Sequence, residues 1–328
     1  MKNRRLILTI VTLSIMLLFV ACNKKDDALL SYQKENNNVV MDYELSSSGI
    51  TSSDSFSKNL CVIPVDYKSQ QDNILTSESS LIVNSTENQV IYSKNIYEKL
   101  YPASITKIVT ALVTLKYGNL DDMVTISHNA SHITEPGAKL CGFKEGDQIK
   151  LKDLLTSLLV YSGNDAGVAV AEHIGGSVEK FADMMNEEVK KLGAVNSHFV
   201  NPHGLHDDNH YTTAYDLYLV FHELIKNDVF LDIIHKERFK AEYYDVKGNK
   251  VSKVFVSTDR YLKGTATVKA GITVIGGKTG TTEKAGSCLI LYSKDKKEND
   301  YISVVLKAAS GNDLFYQMSH LLDLIPVK

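Results

Sequence analysis

Hydrophobic and polar positions divide the chain into three stretches of different character. An apolar run over residues 6–21 follows Lys2, Arg4 and Arg5 and stops at Cys22. Residues 23 to about 73 are rich in Asn, Ser, Asp, Lys and Gln and show no period. Such a segment buries too little apolar surface to offset the entropy of ordering, so it reads as a tether. From about residue 79 the pattern tightens. Apolar runs at 80–83 and 89–92 flank polar 84–88 and predict a hairpin. Pro102 then opens a helix whose apolar residues run over 105–117. Residues 120–245 read as a largely helical block, with helices expected at 151–161, 166–174, 178–192 and 213–225. After 250 the character turns to strands at 271–282, 286–293 and 301–309, then a last helix at 313–325. Strands at both ends can share one sheet if the helical block is an insertion. The expected class is therefore α+β.

Composition narrows the function without naming it. The chain has 328 residues, 44% hydrophobic, and a net charge of -3, which excludes a polybasic nucleic-acid binder and a wholly disordered chain. Four cysteines cannot staple a domain of this size, and no ligand spacing or pairing is evident among Cys61, Cys141 and Cys288. Cys61 falls within the expected tether. The basic start, short apolar centre and small residue before Cys22 describe a secretory signal, too short to span a bilayer. Phe19-Val20-Ala21-Cys22 resembles a lipobox, in which Cys22 is lipidated after residues 1–21 are removed; a plain signal or an uncleaved anchor is the alternative. Loss of the three positive charges takes the net charge to -6, so membrane attachment would depend on acyl chains rather than on anionic lipid. The expected organisation is a signal at 1–21, a disordered tether at 22–74 and one catalytic domain at 75–328.

Three short motifs carry chemistry, and two of them have decoys. Ser104-Ile105-Thr106-Lys107 is an S-x-x-K, whose i, i+3 spacing puts amine and hydroxyl on one helix face. The same spacing recurs at Ser31/Lys34, Ser55/Lys58, Ser177/Lys180 and Ser293/Lys296. The first two lie in the tether, the third opens a surface helix and the fourth reads as a polar turn. Only Ser104 heads an apolar helix, where buried serine and lysine need a reason. Ser162-Gly163-Asn164-Asp165 interrupts two apolar helical segments, whereas the identical Ser310-Gly311-Asn312-Asp313 sits where Asn312 or Asp313 would simply cap a helix. Lys278-Thr279-Gly280 occurs once, in a strand-like run, where Gly280 would let a ligand backbone approach.

In that order, S-x-x-K, S-x-N and K-T-G are the set of penicillin-binding proteins and class A β-lactamases. The wider phrases 101–107, 162–166, Asn201-Pro202-His203-Gly204-Leu205 and 278–286 resemble the serine D-alanyl-D-alanine carboxypeptidases, the low-molecular-mass penicillin-binding proteins. The resemblance implies a β-lactamase/transpeptidase-like α/β sandwich, with a five-stranded antiparallel sheet flanked by helices and a largely helical inserted subdomain. It implies removal of the terminal D-alanine from the peptidoglycan stem pentapeptide, with β-lactams as inhibitors and no cofactor or metal. Ser104 would be the nucleophile, Lys107 its base and Ser162 the relay to the leaving amine. Asn164, Lys278, Thr279 and Thr281 would bind substrate, and the N–H groups of Ser104 and Thr281 would form the oxyanion hole. The family often continues into a small C-terminal β-domain with a membrane anchor, which this sequence does not show; the N-terminal lipid would take the anchor's place.

Three rival readings remain open at this point. A zinc peptidase would use His203, His206 and His210, although Gly204 and the polar run favour a loop there. A β-lactamase would need an additional carboxylate to speed deacylation; no loop of that kind is evident, with Glu135 among the acids to consider. A tethered wall-binding module with a weak site would keep the motifs without turnover.

Overall fold

The computed structural model describes residues 59–326, apart from positions 66 and 68. Cys22, the apolar run and the decoys Ser31/Lys34 and Ser55/Lys58 lie outside the described residues. A five-stranded antiparallel sheet forms the centre, in the order β2-β1-β9-β8-β7. It comprises β1 (Ser79–Asn84), β2 (Gln89–Lys94), β7 (Ile272–Thr282), β8 (Gly286–Asp295) and β9 (Asp300–Ala308). The N-terminal hairpin joins the C-terminal strands through β1 against β9, with Leu81 opposite Val304 and Val83 opposite Ile302. The strands read as continuous apolar runs because both faces are buried. Ile82, Leu289, Leu291 and Val305 point to one side, where Leu314, Met318, Leu321 and Leu322 of the last helix cover them. Leu81, Val83, Ile290, Val304 and Leu306 point to the other side, into the larger core.

The larger core belongs to the inserted block. Its helices are α1 (Thr106–Tyr117), α2 (His128–Ser131), α3 (Leu151–Val160), α4 (Asn164–Gly175), α5 (Val178–Lys191), α6 (Ala214–Leu224) and α7 (Asp228–Ile234), and α8 (Gly311–Asp323) follows the central sheet. Helix α1 is apolar around most of its circumference and is buried over residues 106–114, so it runs through the core rather than along a surface. The expectation of a largely helical block holds for 151–224 but misses a second sheet. That sheet is β3 (Met123–Thr125), β4 (Gln148–Lys150), β5 (Arg238–Tyr244) and β6 (Lys250–Val256). Its signal was present: Phe239, Ala241 and Tyr243 alternate with charged residues, and Asp245 accepts from Lys247 N and Asn249 N around Gly248 at φ 81°.

The expected tether is shortened from its C-terminal end. Cys61 and Ile63 are buried in the main core. The backbone of Cys61 donates to Tyr218 Oη at 3.0 Å and accepts from Tyr215 Oη at 3.1 Å, both on α6. Burial in this apolar setting pushes the Cys61 thiol up to about 11. Among the described residues no helix is long and apolar enough to cross a membrane.

Candidate active site

The turn that carries Ser104 is made by a short 3-10 segment, Ala103–Ile105, ahead of α1. Ala103 sits at φ 47°, a left-handed conformation that a residue with a Cβ adopts only when its surroundings impose it. Those surroundings are polar and specific. Thr106 Oγ1 donates to Ala103 O at 2.8 Å and meets His210 Nε2 at 2.7 Å. The other ring nitrogen of His210 accepts from Val200 N at 3.1 Å, so the neutral ring carries its proton on Nε2 and donates to Thr106. Burial holds His210 near a pKa of about 3, which keeps that tautomer uncharged at neutral pH. The turn is also pressed by Gly204, at φ 83°, where an added Cβ would stand 1.8 Å from Ala103 O.

One turn along, Lys107 is fully buried, and its Nζ has three partners. These are Ser104 Oγ at 3.0 Å, Asn164 Oδ1 at 2.7 Å and His203 O at 2.6 Å. The segment 201–205 thus serves to bring a backbone carbonyl to the amine. Asn201 Oδ1 shapes it by accepting from His203 N and Gly204 N, and Thr110 of α1 ties down Pro202 O at 2.6 Å. Burial holds the Lys107 amine well below the usual lysine range, and the charge of Lys278 adds to it. Desolvation is the larger cause and the neighbouring cation the smaller.

Ser162 and Asn164 enter from the junction of α3 and α4. Ser162 is held at φ 76°, and its Oγ receives Lys278 Nζ at 3.0 Å. Gly163 follows because a Cβ there would lie 2.2 Å from Cys141 Sγ. Lys278, on β7, also donates to Thr279 O at 2.8 Å, and burial with the charge of Lys139 lowers it to about 7. Gly280 has a further use beside the cleft that it lines. The Ser104 turn packs against it, since a Cβ would meet Pro102 O and Ser104 N at 2.8 Å each. The glycine lets β7 pack flush against the turn and so sets one wall of the cleft at a fixed distance from Ser104.

The cleft between these elements has a volume of about 520 Å³ and is lined by Ser104, Ser162, Asn164, Thr279, Gly280 and Thr281. Lys107 and Lys278 lie beneath its floor. The residues expected from the motifs are therefore brought together, and the structure adds others. Thr258 takes the hydroxyl hydrogen of Thr279 at 2.6 Å, and Lys139 lies over the Tyr161 ring at 4.1 Å while lining the mouth. Asp165 accepts from the backbone N–H groups of Cys141, Gly142, Phe143 and Ala166, which pins the loop that carries Lys139. Phe143 in turn packs edge-on against Tyr243 and Phe255 of the second sheet. Lys139 and Thr258 stand in no motif, and only the fold brings them to the cleft.

The histidines of the zinc alternative do not converge. His203 accepts from Leu205 N, His210 is engaged with Thr106, and His206 pairs with Asp208 at 3.3 Å. Burial lowers His203 to about 3. Glu135 is exposed, and the carboxylate that lines the cleft mouth is Glu283. Ser177 caps α5, as an ordinary surface helix start, and Ser293 lies buried inside β8 rather than in a polar turn.

Comparison with known proteins agrees with this geometry. The chain is 33% identical to the D-alanyl-D-alanine carboxypeptidase DacF of Bacillus subtilis over 77% of its own length and 64% of that protein. It is 34% identical to DacC of Escherichia coli over 74% and 59%. The chain thus spans about three-fifths of the length of the curated relatives it matches. The fold superposes on the crystal structure of a Streptomyces DD-transpeptidase with a TM-score of 0.71 at 25% identity, covering 79% of this chain and 98% of that one. A D-alanyl-D-alanine carboxypeptidase from Mycobacterium tuberculosis, at 24% identity and a TM-score of 0.67, shares the fold over 80% of this chain and 95% of its own. The family model of the D-alanyl-D-alanine carboxypeptidases matches residues 66–310, and the chain belongs to that family.

Proposed function

We propose that this protein is a serine D-alanyl-D-alanine carboxypeptidase that releases the terminal D-alanine of the peptidoglycan stem pentapeptide. The surroundings of Lys107 carry the reading. Asn164 Oδ1 and His203 O can only accept, so a neutral amine gives both its N–H bonds to them. Its lone pair is then left facing the Ser104 hydroxyl, 3.0 Å away. An ammonium in this place would donate three times and could take no proton. Desolvation, by favouring the neutral form, converts a structural lysine into a general base.

In this mechanism Ser104 Oγ attacks the penultimate carbonyl as its proton passes to Lys107. The oxyanion is met by the N–H groups of Ser104 and Thr281, a contact whose loss typically costs roughly 3 kcal/mol. Collapse expels D-alanine, whose amine receives a proton through Ser162, and water hydrolyses the acyl-enzyme. The hydroxyl of Thr281 holds the terminal carboxylate together with that of Thr279, whose hydrogen turns from Thr258 to the bound carboxylate, with the Lys278 charge acting from beneath and Asn164 aligning Lys107 with the substrate amide. β-Lactams would acylate the same serine. Residues 1–21 would act as a signal and Cys22 would be lipidated, placing the domain outside the cytoplasmic membrane beside its substrate.

The test is release of D-alanine from a pentapeptide ending in D-Ala-D-Ala, together with labelling by a fluorescent penicillin. Both are expected in the wild type and absent in Ser104→Ala. A wild type that takes the penicillin label but releases no D-alanine would overturn the activity. A penicilloyl-enzyme that turns over within seconds would make it a β-lactamase instead.

A further inference from the structure

The outer edge of the loop that walls the cleft carries a second constellation. His128 and His132 are four residues apart around α2, so their rings fall on one face, stacked with centroids 3.9 Å apart and planes 19° from parallel. Glu145 arrives from the far end of the loop, its Oε2 2.9 Å from His128 Nδ1. One ligand atom from each of the three lies within 4.8 Å of the other two. We propose that His128, His132 and Glu145 form a surface site for a divalent cation of the zinc class, which closes the loop by joining its two roots.

Two imidazoles and a carboxylate are donors that suit Zn²⁺, with water completing a tetrahedron. Bonds of about 2.0–2.1 Å in that geometry set ligand atoms about 3.3 Å apart. The His128–Glu145 pair already stands at 2.9 Å, so a cation replaces the hydrogen between them with little movement. His132 has to turn out of the stack, because parallel rings aim their lone pairs side by side, but its ligating nitrogen is defined. Its Nδ1 lies 3.0 Å from His128 O, and a carbonyl oxygen only accepts, so Nδ1 carries the proton and Nε2 keeps its lone pair. A ligand histidine whose other nitrogen is anchored to a carbonyl is the usual supporting arrangement around zinc. All three side chains are exposed, so ligation requires little desolvation. Between the two roots lie Pro136, Gly137 and Lys139 of the cleft wall, and Lys139 O accepts from Asn164 N at 2.7 Å. The cation takes no part in the acyl-transfer step; it would restrain the wall beside it.

The tag-free full-length chain is titrated with ZnCl₂ by calorimetry, beside His132→Ala and Glu145→Gln. One saturable site is expected in the wild type, at least tenfold weaker in either variant. Hydrogen exchange over 128–145 is expected to slow with zinc in the wild type alone. No saturable binding, or variants that bind as the wild type does, overturns the site. Unchanged exchange at saturating zinc overturns the closing of the loop. Neither readout needs substrate, so the outcome is independent of the carboxypeptidase assay.

Discussion

Ser-Gly-Asn-Asp occurs twice in this chain, at 162–165 and at 310–313, and the two copies behave as different materials. In the first, serine is twisted to φ 76° and faces a buried lysine, asparagine holds a second buried lysine, and aspartate gathers four backbone N–H groups. In the second, Ser310 is extended at φ -155° and caps α8 by accepting from Asp313 N. Asn312 meets Arg260 at the surface, and Asp313 accepts from Ala309 N and Gln317 Nε2. The cap there falls to Ser310 rather than to the expected Asn312 or Asp313. The difference lies in what packs around each copy. The first is enclosed by α1, β7 and the 139–143 loop, so every polar atom must find a partner and each partner acquires an altered chemistry. The second faces water, where the same groups only finish a helix.

The sharpest way to break the comparison is to exchange the asparagines for alanine. Asn164→Ala is expected to slow acylation by fluorescent penicillin by roughly 10²–10³-fold, because Lys107 loses an acceptor that fixes its lone pair. Asn312→Ala is expected to leave the rate unchanged. Equal effects would mean that the buried copy has no special role. Next in size, Asp165→Ala leaves buried N–H groups without acceptors, each costing about 1–3 kcal/mol. A fall in thermal midpoint is expected there, with faster hydrogen exchange across 139–143. An unaltered loop would show that Asp165 does not pin it.

The buried lysines give a pH signature that the surface copy lacks. Lys278 binds its proton less tightly in the folded chain, at about 7 against 10.5 for an ordinary lysine. Between those values the unfolded chain holds more protons, so this lysine makes stability rise as pH rises from 7 toward 10.5. Lys278→Met is expected to raise the thermal midpoint most at pH 7 and below. The gain should shrink toward pH 10, while acylation is impaired throughout. A gain independent of pH would remove the argument from desolvation. The smallest effect is reserved for Ser310→Ala, a lost cap of about 1 kcal/mol by denaturant unfolding, with acylation intact.

Much of this molecule could be read from local pattern. Short apolar runs predicted all five strands of the central sheet, and period-3.6 runs predicted the long helices. The apolar helix that follows Ser104 separated it from its decoys. Local pattern failed where the deciding neighbour is far along the chain. Cys61 lies in a short apolar run, Leu60-Cys61-Val62-Ile63, inside a polar-rich stretch that reads as tether, and Tyr215 and Tyr218 hold it in the core from more than 150 positions away. Gly280 suggested room for a ligand, and nothing local showed that it also makes room for the Pro102 carbonyl. His203 was weighed as a metal ligand, and it is its backbone oxygen that counts. The sequence by itself determined which residue types could do acyl transfer and on which elements they ride. Only the tertiary structure decided which lysines are stripped of solvent, because a pKa is set by the solvent and charges that the fold removes or brings near, and these have no period along a chain.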